Sequence, residues 1–145
     1  MSYSLCDFVA ESNRIEGISY TSAIQIAAHE TFLQLKTVTV TDLEIFVVAV
    51  QPGAILRREA HQNVRVGNHI APQGGTSLVE ELVKLLKNMH HNMPYETHVA
   101  YEQLHPFTDG NGRSGRVLWL WCMRGEAPIG FLHQFYYQTL AASRH

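Results

Sequence analysis

The stretch Val117-Leu-Trp-Leu-Trp-Cys-Met123 is apolar at every position. A helix through it has no face to offer water and belongs at the centre of a helical packing. What feeds that helix is as restrictive. The run His105-Pro-Phe-Thr-Asp-Gly-Asn-Gly-Arg-Ser-Gly-Arg116 leads straight into it, and Gly110 and Gly112 allow a sharp turn that aims successive N–H groups into one concavity at the helix start. An anion suits that place. Arg113 and Arg116, three apart, project from nearly one face, and their planar forks match phosphate oxygens better than lysine would. His105 offers an imidazole that can take a proton from a hydroxyl near neutral pH, its free pKa being about 6.5. Asp109 offers a carboxylate that a hard cation accepts. These are the parts of a phosphate-handling site.

Elsewhere apolar residues recur mainly at helical spacing, broken by turn clusters and without an internal repeat, which predicts a mostly α fold. Leu5, Phe8, Val9 and Ile15 fit a first helix ending at Gly17, with Ser12 and Glu16 one turn apart on one face. Ser22 with Gln25 reads as a capping box opening a second helix through Ala23, Phe32 and Leu35. Thr41 with Glu44, stapled by Val40 and Ile45, opens a third that stops near Pro52-Gly53. From about 55 to 75 the helical period is lost, and a long connection holding a short β-hairpin around Val64 to Ile70 is expected. Ser77 with Glu80 caps a fourth helix with a stripe of Leu78, Leu82, Leu85, Leu86 and Met89. Pro94 suits the first turn of a fifth, running to about Leu104. Phe131, Phe135, Tyr136 and Leu140 fit a last helix, and Trp119 and Trp121 are expected in the core.

With 145 residues, 46% hydrophobic, 17% charged and a formal charge of −2, the chain is expected to form one soluble domain over residues 1–145. No positive field or basic stripe invites nucleic acid. No apolar run approaches membrane-spanning length, and no secretory signal opens the chain. Cys6 and Cys122 are too few for a disulfide framework, so a reducing cytoplasm is the expected compartment. The apolar surface of so small a chain is compatible with a homo-oligomer, to which no residue commits.

The pattern His-Pro-Phe-x-Asp-Gly-Asn-Gly-Arg-x-x-Arg, filled at every specified position from His105 to Arg116, resembles the signature of the Fic (Fic/Doc) family. The resemblance implies a helical bundle around the motif loop and its helix, with a β-hairpin flap. It also implies a protein adenylyltransferase, moving AMP from ATP to a Ser, Thr or Tyr hydroxyl of a target protein. His105 is then the general base, and Asp109 holds Mg²⁺ between the α- and β-phosphates. Gly110, Asn111 and Gly112 give backbone and amide donors to the α-phosphate, Arg113 serves the β-phosphate region and Arg116 the γ-phosphate. Val64, Arg65, Val66, Gly67, Asn68, His69 and Ile70, within 64–72, look like the flap that holds a target segment as an added strand. Ser12-Asn-Arg-Ile-Glu16-Gly17 is similar to the Ser/Thr-x-x-x-Glu-Gly/Asn inhibitory motif of part of the family. Residues 1–17 then carry an inhibitory helix whose Glu16 forms a bidentate pair with Arg116 and denies the γ-phosphate its partner. Ser12 either helps fix that helix or bonds the preceding turn of its own.

Other readings compete. Within the family, another phosphate-containing group can be transferred, or AMP removed by water that Glu16 positions. A non-catalytic nucleotide-binding or toxin-type module with a permanent plug is the third, though pure binding needs no base. A structural transition metal is weighed because His90, His91, His98 and His105 fall close together. His98 and His105 share a face only if the helix runs through His105, which Pro106 opposes, and no carboxylate stands at zinc spacing. His90, His91 and the remaining histidines are expected at the surface.

Overall fold

The computed structural model describes residues 4–66, 69–89 and 93–124. Among them run α1 (Leu5–Ile15), α2 (Ala23–Leu33), α3 (Val40–Val50), β1 (Arg65–Val66), β2 (His69–Ile70), α4 (Thr76–Asn88), α5 (Pro94–Leu104) and α6 (Asn111–Cys122). The fold is mostly α. The strands form an antiparallel hairpin with Arg65 opposite Ile70 and Val66 opposite His69. The expected helix through Phe131 and Leu140 lies outside the described residues, as do His90, His91, Gly67 and Asn68.

Local chemistry explains most boundaries. Ser4 caps α1 by accepting from the Asp7 N–H, and Gly17 takes the left-handed conformation (φ 76°) that ends the helix just after Glu16. Ser22 and Gln25 form the expected capping box of α2. At α3 the cap is Thr39 with Asp42, two residues before the expected Thr41 and Glu44. Both patterns fit the sequence, and burial decides between them. The residues that flank the true cap, Val38 and Leu43, are both buried in the core, whereas Ile45 is 62% exposed. At α4 the expected Ser77 cap is also displaced. Gly75 holds the N-cap position with φ 129°, a backbone that favours glycine, and no side-chain cap; its neighbour Gly74 packs tightly on the preceding loop. A Cβ on Gly74 would stand 2.4 Å from the Glu59 carbonyl oxygen.

The main core joins Phe32 of α2, Leu43, Phe46 and Val47 of α3, Leu78, Leu82 and Leu86 of α4, Tyr101 and Leu104 of α5, and Val117 and Leu118 of α6. Phe8 of α1 instead packs with Trp119 and Leu120 in a second, smaller cluster. α6 is thus the central helix, dividing its faces between the two. Trp121 is partly buried and donates its indole N–H to the Leu35 carbonyl (2.8 Å). His29 and His98 are fully buried, contrary to the surface expected of the histidines outside the motif; each spends Nδ1 on a backbone carbonyl, Gln25 at 2.7 Å and Gly115 at 3.2 Å. No helix among the described residues is long and apolar enough to cross a membrane.

Candidate active site

Pro106 cannot continue a helix, so α5 stops at Leu104 and His105 becomes its C-cap. His105 is left-handed (φ 50°, ψ 61°), a conformation uncommon outside glycine. Its Nδ1 lies 3.2 Å from the Glu102 carbonyl oxygen. A carbonyl only accepts, so Nδ1 carries the proton and Nε2 keeps its lone pair. That is the tautomer of a base. Burial lowers its pKa below the usual histidine value; the charges of Arg57 and His69 act in the same direction, while the Glu102 carbonyl and Glu16 oppose.

The loop behind His105 is held like a strand. Leu56 and Phe107 form a β-bridge, Arg57 N–H donates to the Pro106 carbonyl (2.9 Å), and Thr108 N–H to the Ile55 carbonyl (2.9 Å). Phe107 is buried in the core. Asn111 closes the turn: its Oδ1 accepts from the Phe107 N–H (2.9 Å) and its Nδ2 donates to the Phe107 carbonyl (2.8 Å). The side-chain amide expected to meet a phosphate is therefore the clasp of the loop, and Asn111 offers its backbone N–H instead. Gly110 supplies the left-handed turn (φ 77°) that starts α6.

The first-turn N–H groups of α6 have no helical partner and no side-chain cap. A carboxylate has moved in. A Cβ on Gly112 would fall 2.1 Å from Glu16 Oε1 and 3.0 Å from Arg116 Nη1, so glycine at 112 is what lets the carboxylate approach this closely. Arg116 donates from Nη2 to Glu16 Oε1 (2.9 Å) and to the Ser12 carbonyl (2.9 Å), and from Nε to the Ser12 hydroxyl (2.7 Å). The expected bidentate pair with Glu16 is therefore a shared one. Ser12, fully buried, takes the Nε side of the fork rather than serving its own helix alone. Arg113 points another way. Its Nη1 donates to the Val50 carbonyl (2.7 Å) and its Nη2 to Gln51 Oε1, which ties the base of α6 to the end of α3. Only its Nε lacks a partner among the described residues.

The Fic/DOC family model matches residues 41–123, more than half of the chain and all of the His105–Arg116 loop. The chain belongs to the Fic/DOC family. Fic proteins generally transfer nucleotides or other phosphate-containing groups to proteins. A search of the curated proteins returned no match. The Fic match begins after α1 and α2, so the case for Ser12 and Glu16 rests on their geometry against Arg116.

Asp109 is exposed; its Oδ1 accepts from the Gly110 N–H (2.8 Å), which leaves Oδ2 for a ligand. Among the described residues no three His, Cys, Asp or Glu side chains gather as a metal cage. A lone exposed carboxylate fits Mg²⁺ as it arrives with a triphosphate, keeping most of its waters. In the expected flap, His69 Nε2 donates to the Gln103 carbonyl (2.8 Å), fastening β2 to α5 beside the His105 loop. Sequence reasoning missed several residues here. Arg57 is fully buried, Gln51 holds Arg113, and buried Glu102 has its pKa pushed up by burial to about 8, against the opposing charge of Arg116. None carries a signal in residue type or spacing, because each acts through a partner distant in the chain.

Proposed function

We propose that this Fic protein transfers AMP from ATP to a Ser, Thr or Tyr hydroxyl of a target protein, and that α1 holds it at rest. The observation that carries the reading is an anion already in place: the Glu16 carboxylate rests against Gly112 at the open start of α6 and pairs with Arg116. The residues that grip Glu16 suit a nucleotide phosphate for the same reasons of charge and unpaired N–H groups.

The α-phosphate then sits at the first-turn N–H groups of Asn111, Gly112 and Arg113, where charge builds during attack. Arg116, released from Glu16, takes the γ-phosphate. Mg²⁺, held by Asp109, would neutralise the triphosphate charge. The target arrives as an extended segment along the β1–β2 hairpin, whose backbone pairing asks little of its sequence. His105 Nε2 removes the hydroxyl proton as the oxygen bonds to the α-phosphorus and the α–β phosphate bond breaks; pyrophosphate leaves.

The test uses α-labelled ATP with a cell lysate and with the protein itself. Glu16→Gly raises labelling about 100-fold, the factor that roughly 2.7 kcal/mol of lost competition supplies. An unchanged rate removes the inhibition argument. His105→Ala in the Glu16→Gly background ends labelling while ATP still binds, and retained labelling removes the base. Intact mass of the labelled target separates AMP from other nucleotides.

A further inference from the structure

Among the described residues Arg57 is one of the largest fully buried side chains, and all of its side-chain acceptors there are backbone carbonyls. Nε donates to the His105 carbonyl (2.8 Å), Nη2 to Leu104 (2.9 Å), and Nη1 to both Gln62 (3.1 Å) and Pro72 (2.8 Å). Four of the five N–H bonds of the guanidinium are thus spent on carbonyls. Its backbone adds two more ties: its N–H donates to the Pro106 carbonyl, and its carbonyl accepts from the Gly75 N–H, both at 2.9 Å.

The positions of those carbonyls matter. Leu104 and His105 stand at the end of α5, where helix carbonyls lack a helical partner and a cation is favoured by the dipole. Pro72 and Gln62 flank the β1–β2 hairpin on either side. A helix that ends in the left-handed conformation normally does so on glycine. Here a histidine does, and the fork of Arg57 grips the peptide on its C-terminal side. A buried guanidinium without a paired carboxylate is a costly device for stability alone. Its rigid fork is suited to fixing several carbonyls at once, which a lysine ammonium is not.

We propose that Arg57 is a positioning residue that fixes the His105 peptide in its left-handed conformation and locks the catalytic loop to the base of the hairpin. It thereby sets where the imidazole stands relative to a target segment on that hairpin. The assignment rests on His105 being the base.

The experiment compares Arg57→Lys and Arg57→Ala in the Glu16→Gly background, each checked by thermal melting. Arg57→Lys is expected to bind ATP within about twofold of its parent while kcat falls about 100-fold, the loss typical of a misplaced reacting group. Arg57→Ala is expected to raise the NMR-measured pKa of the His105 ring and to regain activity when guanidinium is added. A folded Arg57→Lys with unchanged kcat, or one whose ATP affinity falls in step with kcat, overturns the assignment. So does a protein that folds in neither variant, with or without guanidinium, since Arg57 is then scaffold only. Where the Glu16→Gly parent transfers no nucleotide at all, the functional reading fails by itself. Arg57 is then judged on the His105 ring, and an unaltered titration in Arg57→Ala overturns it.

Discussion

His105 combines a strained backbone with a defined tautomer, and both have consequences. Its pKa is lowered chiefly by burial, so the neutral imidazole persists to lower pH than in a free histidine. The acid limb of kcat/KM in Glu16→Gly should therefore fall below the ordinary value of about 6.5. A limb above that value, in labelling measured across pH, contradicts the assignment of the base. Ser12 gives a second outcome. Its hydroxyl accepts from a buried guanidinium 104 residues away, and a hydrogen bond to a charged group is worth about 1.5–3 kcal/mol. Ser12→Ala should raise resting labelling about tenfold, less than Glu16→Gly does; a wild-type rate removes Ser12 from the inhibitory device. Both serine and glutamate were legible because the motif is contiguous. What Ser12 touches was not, nor that the Asn111 amide clasps the loop. Those facts depend on which surfaces meet, and residue type alone does not hold them.

α5 turns a polar face inward, and this governs how stability depends on pH. Thr97, His98, Tyr101 and Glu102 are all buried, with Tyr101 bonded to Ser114 (2.7 Å) and Glu102 pressed on Gly115, where a Cβ would lie 2.5 Å from Oε1. Burial lowers His98 of α5 and His29 of α2 from 6.5 to about 4, so the folded protein refuses protons that the unfolded chain accepts. Stability from each is full above pH 6.5 and is lost as pH falls towards 4, by about 3 kcal/mol apiece. Glu102 acts oppositely. Burial raises it from 4.5 to about 8, so the unfolded chain ionises first and stability is lost as pH rises between those values. Two histidines outweigh one carboxyl below 6.5, and the carboxyl acts alone above. Melting temperature should peak near pH 6.5, and Glu102→Gln should flatten the decline towards pH 8 and steepen the rise between 4.5 and 6.5, where the carboxyl had opposed the two histidines. A wild-type Tm that climbs steadily to pH 8 contradicts this account. Helix order and most boundaries were legible from periodicity and caps. The burial of His98 was not, because a polar residue reads as solvent-facing until the Gly115 carbonyl of the facing helix is known to meet its Nδ1.

At the scale of the molecule, the Fic match spans residues 41–123 and leaves α1 and α2 outside. The packing is divided one helix earlier, between α1 and α2. α1 rests on α6 through Phe8, Trp119 and Leu120, a cluster separate from the core that joins α2 to α6. Polar ties add to it: Asn13 Nδ2 donates to Gln25 Oε1 (2.9 Å) and to the Tyr20 carbonyl (3.1 Å), and Arg116 donates to Ser12 and Glu16. A helix whose apolar contacts fall mainly outside the main core is suited to regulating the site it covers, since an equilibrium shifts only by the energy that distinguishes its two states. Truncating a buried aromatic costs about 3–5 kcal/mol, and at Phe8 that cost falls mainly on the docked state of α1. Phe8→Ala should therefore raise labelling with α-labelled ATP towards the Glu16→Gly level, with faster hydrogen exchange confined to α1 and its contacts. Leu82→Ala, in the main core, should lower Tm without raising labelling. If Phe8→Ala instead lowers Tm as Leu82→Ala does and leaves labelling at the resting rate, α1 is an integral wall of the fold. The proposed inhibition is then relieved by the Glu16 side chain turning away on a helix that stays in place.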